Sequence, residues 1–279
     1  MDDASLRSAI LEAAQRHPRS DGDDVLSVPG HVLAALADGS GRHLRLVESM
    51  ACTAGVWPER YLRNTRLLSC DEQVRLLGAR VLLVGLGGLG GHVLDMLLRM
   101  GVGTIVGCDG DVFEESNLNR QLLSGVDRVG MPKAEAARLH AQAVNPAVIF
   151  EPVCTFLRGV DMHRHAKGAD VVVDALGGLD DRMALRDAAR AAGVPLVTAG
   201  VAGLSGWVAT VAPEGTAPAD LFGQGRAAED VLGNFAPTVG LAASLQCVQV
   251  MQVLTGRSAP AGMLLFDLSD QTFVSLPLA

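Results

Sequence analysis

The run from Val81 to Gly90 constrains this 279-residue chain more than any other stretch. Val81-Leu82-Leu83-Val84 is a short, uninterrupted apolar segment, as expected of a strand buried on both faces. Gly85-Leu86-Gly87-Gly88-Leu89-Gly90 comes directly after it and opens onto a helical pattern that runs from Gly90 to Met100. Gly85, Gly87 and Gly90 fit the spacing G-x-G-x-x-G. The first glycine permits a tight turn, the second lets backbone amides approach a phosphate, and the third lets the helix pack on the sheet. With the helix N-terminus favouring an anion, a phosphate cradle is the expected use of this turn.

Strand and helix patterns alternate from Arg80 onward. Strands are expected at Thr104–Cys108, Val148–Val153, Val171–Val173, Pro195–Thr198 and Trp207–Val211, and helices at Lys133–Val144, Asp180–Ala192 and Ala236–Thr255. Leu264–Phe266 and Phe273–Ser275 suggest a terminal hairpin. The alternation predicts a Rossmann-like α/β fold: a doubly wound, mostly parallel sheet with antiparallel strands near the C-terminus. Residues 1–58 lack such runs. Helical patterns at Ser5–Arg16, His31–Ala37 and Arg42–Ala54 read there as a helical appendage, joined by a polar connector at 20–24, ahead of a nucleotide-binding domain over 59–279.

Composition narrows the partners. With 49% hydrophobic residues a large core is available, and a net charge of −8 speaks against a dedicated nucleic-acid or anionic-membrane binder. The stretch Phe235–Leu254 is uncharged, but Pro237, Ser244, Gln246, Gln249 and Gln252 interrupt it, so it reads as a buried or interface helix rather than a membrane span. Met1-Asp2-Asp3 is acidic where a signal peptide is basic. A cytoplasmic protein that touches neither membrane nor nucleic acid is expected. No two of Cys52, Cys70, Cys108, Cys154 and Cys247 form a C-x-x-C pair, so neither a zinc site nor a disulfide framework is expected. His163 and His165, near Asp161, read as a polar helix face, and His92 as structural.

The residues downstream of the turn decide which nucleotide it serves. Asp109 stands 19 residues beyond Gly90, where a carboxylate accepts ribose hydroxyls in NAD and ATP sites alike. The dense polar run from Asp109 and Asp111 through Asn117, Arg120 and Gln121 has no purpose in a dehydrogenase. Triphosphate chemistry needs it: Arg120 can fork onto phosphate oxygens, and Asn117 and Gln121 add neutral donors. Lys133 stands at the start of the next helix. Of 23 basic residues only it and Lys167 are lysine, and a compact ammonium suits a phosphate.

Together, Arg60-Tyr61-Leu62-Arg63-Asn64, the glycine turn, Ser116-Asn117-Leu118-Asn119-Arg120-Gln121, Lys133 and Asn145-Pro146 resemble the MoeB/ThiF/HesA family, bacterial relatives of ubiquitin-activating enzymes. The resemblance covers about residues 58–279. It implies binding of ATP and magnesium, and adenylation of the C-terminal Gly-Gly carboxylate of a ubiquitin-like sulfur-carrier protein. It further implies that Asp109 holds the ribose and that Asn117, Arg120, Gln121 and Lys133 contact phosphates. Gly85, Gly87, Gly88 and Gly90 form the cradle. Arg63 matches an arginine that reaches into the partner protomer's site, so a homodimer is implied, with Arg120, Lys133 and Arg63 as the catalytic cations.

Three departures stand out. The two C-x-x-C pairs that commonly hold zinc in the family are missing, and the crossover segment at about 212–235 contains no cysteine, which leaves adenylation without a thioester step. The third concerns the metal. Relatives continue past the strand with Asp-Ala-Leu-Asp-Asn-Leu-x-x-Arg, the second aspartate helping to bind magnesium, whereas this chain reads Asp174-Ala175-Leu176-Gly177-Gly178-Leu179-Asp180-Asp181-Arg182. Asp180 or Asp181 can supply the carboxylate instead, or ATP with Asp111 can hold the ion. Alternatively, this is a degenerate member that binds nucleotide or carrier as a scaffold. A dehydratase acting on modified transfer RNA is a related enzyme reading, and the acidic balance counts against it.

Overall fold

The computed structural model describes residues 1–18, 24–178, 181–222, 228–260 and 262–278; most of the polar connector and Asp180 lie outside them. The N-terminal part runs α1 (Asp3–Glu12), β1 (Gln15–Pro18), β2 (Asp24–Val28), α2 (Gly30–Ser40), α3 (Leu44–Thr53) and β3 (Val56–Pro58). The three expected helices are present, but the first stops at Glu12, and a three-stranded sheet accompanies them. β2 pairs antiparallel with β1 and parallel with β3. These strands carry almost no sequence signal. β1 is polar and ends in proline, which an edge strand tolerates, and β3 is three residues long. Leu6, Ile10, Val28, Leu33, Val47 and Val56 form a small core of their own beneath this sheet.

A 3-10 turn at Glu59–Asn64 leads into α4 (Cys70–Gly78), whose N-terminus is closed by a reciprocal Ser69–Glu72 capping box. The large sheet then begins. Its elements are β4 (Arg80–Val84), α5 (Gly88–Met100), β5 (Thr104–Cys108), α6 (Lys133–Val144), β6 (Ile149–Val153), α7 (Val160–Ala166), β7 (Val171–Asp174), α8 (Arg182–Ala192), β8 (Leu196–Ala202), β9 (Ser205–Val211), α9 (Pro218–Phe222), α10 (Glu229–Leu232), α11 (Ala236–Thr255), β10 (Met263–Asp267) and β11 (Thr272–Leu276). Spatial order is β11-β10-β9-β8-β7-β4-β5-β6. The five strands from β8 to β6 are parallel, and β9, β10 and β11 join antiparallel, the last two as the expected hairpin.

Alternation along β4 decides the layering. Val81 and Leu83 face one core with Val93, Leu94 and Leu97 of α5 and Ala242 and Val250 of α11. Leu82 and Val84 face the other, with Met162 and Ala166 of α7 and Leu185 and Ala188 of α8. Burial on both faces is what an uninterrupted apolar strand demands. α11 is long and apolar enough to cross a membrane, yet 56% of that stretch is buried, against α5, β8 and β9. Its glutamines make buried bonds: Gln246 Nε2 donates to Asp174 O at 2.9 Å, and Gln249 Oε1 accepts from Thr210 Oγ1 at 2.8 Å.

Two sequence segments 84 residues apart meet where the N-terminal part joins the large sheet. Tyr61 donates its hydroxyl to the fully buried Glu48 of α3 at 3.1 Å and accepts from Asn145 Nδ2 at 2.9 Å. The same amide donates to Leu98 O at 2.8 Å, while Asn145 Oδ1 accepts from Arg60, whose Nε lies 3.1 Å from Glu48 Oε1. Burial pushes the Glu48 carboxyl upward, and Arg60 and the Tyr61 hydroxyl pull it back. Gly101 is required beside this network, because a Cβ there would lie 2.5 Å from the Tyr61 hydroxyl.

Replacing Asn145 by Ala leaves the buried Ala147 N without its acceptor, removes the Arg60 bond, and takes one donor each from Leu98 O and the Tyr61 hydroxyl. The expected loss is about 3 kcal/mol, the cost of leaving buried polar groups unpaired, read from urea unfolding at neutral pH. A second outcome concerns acid. Arg257 first, then the Ser69 amide, hold the Glu72 carboxyl down at about 2, against its ordinary 4.5. A depressed carboxyl stabilises above its unfolded value and loses that contribution as pH falls through the folded one. Glu72→Gln is therefore expected to lower stability at neutral pH, and the gap from the parent protein is expected to close between pH 4.5 and about 2. Denaturant midpoints across that range check it, and a gap independent of pH would contradict it.

Candidate functional site

β5 and β7 flank β4 on opposite sides, so the crevice beyond the carboxyl end of β4 is the switch point of the sheet. The glycine turn occupies it. Gly85 has φ +94, and a Cβ there would stand 2.4 Å from Ala175 O. At Gly90 a Cβ would come 1.8 Å from Gly85 O, so the helix packs onto the turn at a distance no side chain permits. Gly87 and Gly88 line a cavity of about 420 Å³, open toward solvent at the start of α5.

Asp109, just after β5, buttresses this turn. Its Oδ2 accepts from Leu86 N at 2.8 Å and its Oδ1 from Asp111 N at 2.9 Å, leaving further lone pairs directed at the cavity it lines. A 3-10 turn over Glu115–Asn117 comes next, pinned by Asn117, whose buried Oδ1 accepts from Glu114 N at 3.1 Å. Arg120 is steadied by Ser116 O at 3.1 Å and Asn119 Oδ1 at 2.8 Å. Gln121 is only 7% exposed and lies against Gly87, and its Oε1 has no hydrogen-bond partner. A buried amide oxygen without a partner is costly in a finished structure and ordinary in a binding site.

Lys133 begins α6 and is likewise 7% exposed. Its Nζ lies 3.1 Å from Asp111 Oδ2, and its own N–H donates to Asp111 O at 2.9 Å. The carboxylate side of this pair is 54% exposed, so the lysine is held at the cavity wall by a partner that water already screens.

The far wall is the loop after β7. Arg182, 6% exposed, donates to Asp174 Oδ2 at 2.7 Å, Ala199 O at 2.8 Å, Gly178 O at 2.8 Å and Leu176 O at 2.5 Å. Thr198 Oγ1 also donates to Asp174 Oδ2, at 2.6 Å. Glu229, at the start of α10, lies over the same loop, where its Oε1 accepts from Gly178 N at 2.6 Å.

Gly85, Gly87, Gly88, Asp109, Asp111, Asn117, Arg120, Gln121 and Lys133 thus line one cavity, and Gly90 stands directly behind it. Arg63 does not join them: it is exposed on the 59–64 turn and lines no part of this chain's cavity. Sequence reasoning misses Phe156, which lies past β6, and Glu229 and Asn234 of the crossover segment. Phe156 has a signal, as an apolar residue just beyond a parallel strand. The other two have none. Cys108 also lines the cavity, but burial pushes its thiol up to about 12, so it is no nucleophile.

Two cations and a bare glycine turn at a helix N-terminus fit a nucleotide polyphosphate, while the orphaned Gln121 oxygen calls for a donor or a cation. Beside this cavity lies a second one of about 640 Å³, walled by Trp207, Phe266 and Val274, and the two meet at Arg182, Val201 and Glu229. A polar cavity and a more apolar one thus lie side by side.

Similarity to known proteins agrees with this geometry. The SAMP-activating enzyme E1 of Haloferax volcanii is 36% identical over 230 residues, 77% of this chain and 84% of that protein. The sulfur carrier protein ThiS adenylyltransferase of Escherichia coli is 32% identical over 227 residues, 78% of this chain and 90% of its own. In fold, the chain is similar to E. coli MccB solved with ATP (TM-score 0.68, 23% identity, 79% of this chain and 72% of that one). It is similar also to PaaA (TM-score 0.66, 20% identity, 96% and 99%). Residues 61–279 match the ThiF family, and the chain belongs to it.

Proposed function

We propose that the chain is an ATP-dependent adenylyltransferase acting on the C-terminal Gly-Gly carboxylate of a ubiquitin-like sulfur-carrier protein. The observation that carries this reading is the cavity in which Arg120, the buried Lys133 and the unpartnered Gln121 surround the glycine turn. Its relatives' names support it: they activate SAMP and ThiS proteins, and both are matched along most of their length. We also take the enzyme to be a cytoplasmic homodimer, with residues 1–58 an appendage to the adenylating part at 59–279.

In this reaction a carboxylate oxygen forms a bond to the α-phosphorus, the bond from that phosphorus to the bridging oxygen breaks, and pyrophosphate leaves with the electron pair. Arg120 and Lys133 neutralise phosphate charge as it redistributes, and Gly87 and Gly88 let backbone amides approach. The oxygens of Asp109 that face the cavity accept the ribose hydroxyls. Asn117 keeps the Arg120 segment in register through its bond to Glu114. The carrier's tail enters through the apolar chamber and passes Arg182 and Val201 to reach the nucleotide. A carboxylate lining the cavity would hold magnesium, which would shield the phosphates. Arg63, exposed and outside its own cavity, serves the partner protomer's site.

ATP–pyrophosphate exchange, driven by a carrier protein ending in Gly-Gly, tests the reading. Lys133→Ala and Arg120→Ala are each expected to lower exchange by about 10²–10³-fold, the usual cost of removing one preorganised charge from a transition state. Tight ATP binding with no exchange in the parent protein would favour the scaffold reading. Mixing Arg63→Ala with Lys133→Ala tests the shared site. Activity is expected to return in the mixed dimer, which carries one intact site, and a mixture that stays inactive would place Arg63 in its own protomer's chemistry.

A further inference from the structure

The nucleotide cavity has an unusual charge balance. Four carboxylates line it: Asp109, Asp111, Asp181 and Glu229. Both oxygens of Asp109 already take backbone N–H groups, and Asp111 is paired with Lys133. Asp174, sealed below the cavity floor, is neutralised by Arg182, which spends its charge there. Among the described residues no lysine or arginine pairs with Glu229, and its partners are neutral: Gly178 N at 2.6 Å and the Asn234 amide at 3.4 Å. Asp181 also has no such partner among the described residues and makes no cap bond with its side chain; Glu229 is the one held over the loop.

A bare carboxylate facing a polyanionic triphosphate in one cavity repels it unless a cation stands between them. The loop beneath supplies no side chain of its own, since positions 177 and 178 are both glycine. A Cβ built on Gly177 would lie 3.6 Å from Glu229 Oε1, so the glutamate's carboxylate occupies the space into which a side chain at 177 would extend. The bond from Gly178 N holds one of its oxygens in place and leaves lone pairs on both. Nearby, the orphaned Oε1 of the nine-tenths buried Gln121 marks the same cavity as built for a ligand. No three His, Cys, Asp or Glu side chains among the described residues converge into a ready cage. That is how magnesium is usually bound with nucleotides: one or two carboxylates, with phosphate oxygens and water completing the octahedron.

We infer that Glu229, reaching in from the crossover segment, is the protein carboxylate that binds the divalent cation accompanying the nucleotide, in place of a side chain at position 177. The inference rests on the proposed ATP chemistry. It makes the metal site depend on a segment 51 residues away in sequence from the loop it serves. It also assigns the metal to the junction of the two cavities, beside Arg182 and Val201, where the acyl group meets the phosphate.

Calorimetric titration of the full chain with ATP, once with magnesium and once with EDTA, tests this without any turnover. Glu229→Gln keeps an oxygen to accept from Gly178 N but removes the charge. The expected result has two opposite signs: magnesium–ATP binds at least tenfold more weakly, and metal-free ATP binds as tightly as to the parent protein or more tightly. Adding Gly177→Asp to that variant is expected to restore the magnesium dependence, whereas Asp181→Asn alone is expected to leave it unchanged. Equal weakening in both conditions would make Glu229 a structural latch, and unchanged binding in both would give it no role. Either result overturns the inference while leaving adenylation intact. Absence of ATP binding by the parent protein would instead overturn the nucleotide reading and the inference with it.

Discussion

The carboxyl end of the sheet is organised by one buried ion pair, Arg182 with Asp174. Both side chains are almost wholly removed from water, with 7% and 2% exposed, so neither charge is tolerable without the other. The guanidinium fans out from that anchor to Leu176 O, Gly178 O and Ala199 O, and its carbon stands 5.7 Å from the centre of the Trp207 ring. One residue at the start of α8 therefore fixes the ends of β7 and β8 and the loop between β7 and α8. With that loop fixed, and Ala175 N bonded to Val84 O at 2.9 Å, Ala175 O presses against Gly85, where even a methyl group has no room. The glycine turn owes its shape to its neighbour across the crevice as much as to its own sequence.

The same dependence explains which parts of the molecule are legible in the sequence. Strands and helices of the large sheet emerge from periodicity, because burial on both faces leaves β4, β5 and β7 almost purely apolar. The polar side of the cavity is legible too, since Asp109 through Gln121 is continuous in sequence and Lys133 opens the next helix. Function concentrated in one polar stretch leaves a trace that function assembled from distant segments does not. Glu229 is one of two adjacent acids in a short helix of the crossover segment, and nothing in its neighbours' pattern points across 51 residues to Gly178. In the N-terminal part, β1 and β3 escape notice for another reason. β1 gains its strand conformation from pairing with β2 rather than from propensity, and β3, though Val56 and Trp57 favour strands, is too short to leave a pattern.

Motif residues also divide by what they do. Arg60, Tyr61 and Asn145 look like signature elements of an enzyme, yet none lines the nucleotide cavity. They meet instead in a buried polar cluster with Glu48, behind α5 and joined to its last turn through Leu98 O. Such a network restricts how α3 can sit on the large domain, because a slightly shifted helix would leave a buried carboxylate unpaired. The helix it braces is the one whose N-terminus opens onto the cavity. Residues 1–58 are thereby connected mechanically to the glycine turn without touching it.

Net acidity and a phosphate site are compatible because the cations are few and placed. Lys133 is one of two lysines in the chain, and it is buried where a flexible surface lysine would not be, with its charge half-satisfied by an exposed aspartate. Arg182, the other strong cation at the crevice, is unavailable to phosphate because Asp174 and three carbonyls consume its donors. Arg120 and Lys133 are then left facing a ligand with more negative charge than they carry, next to a glutamate that has no cationic partner among the described residues. The inferred cation at Glu229 offsets part of that excess from the crossover side of the cavity.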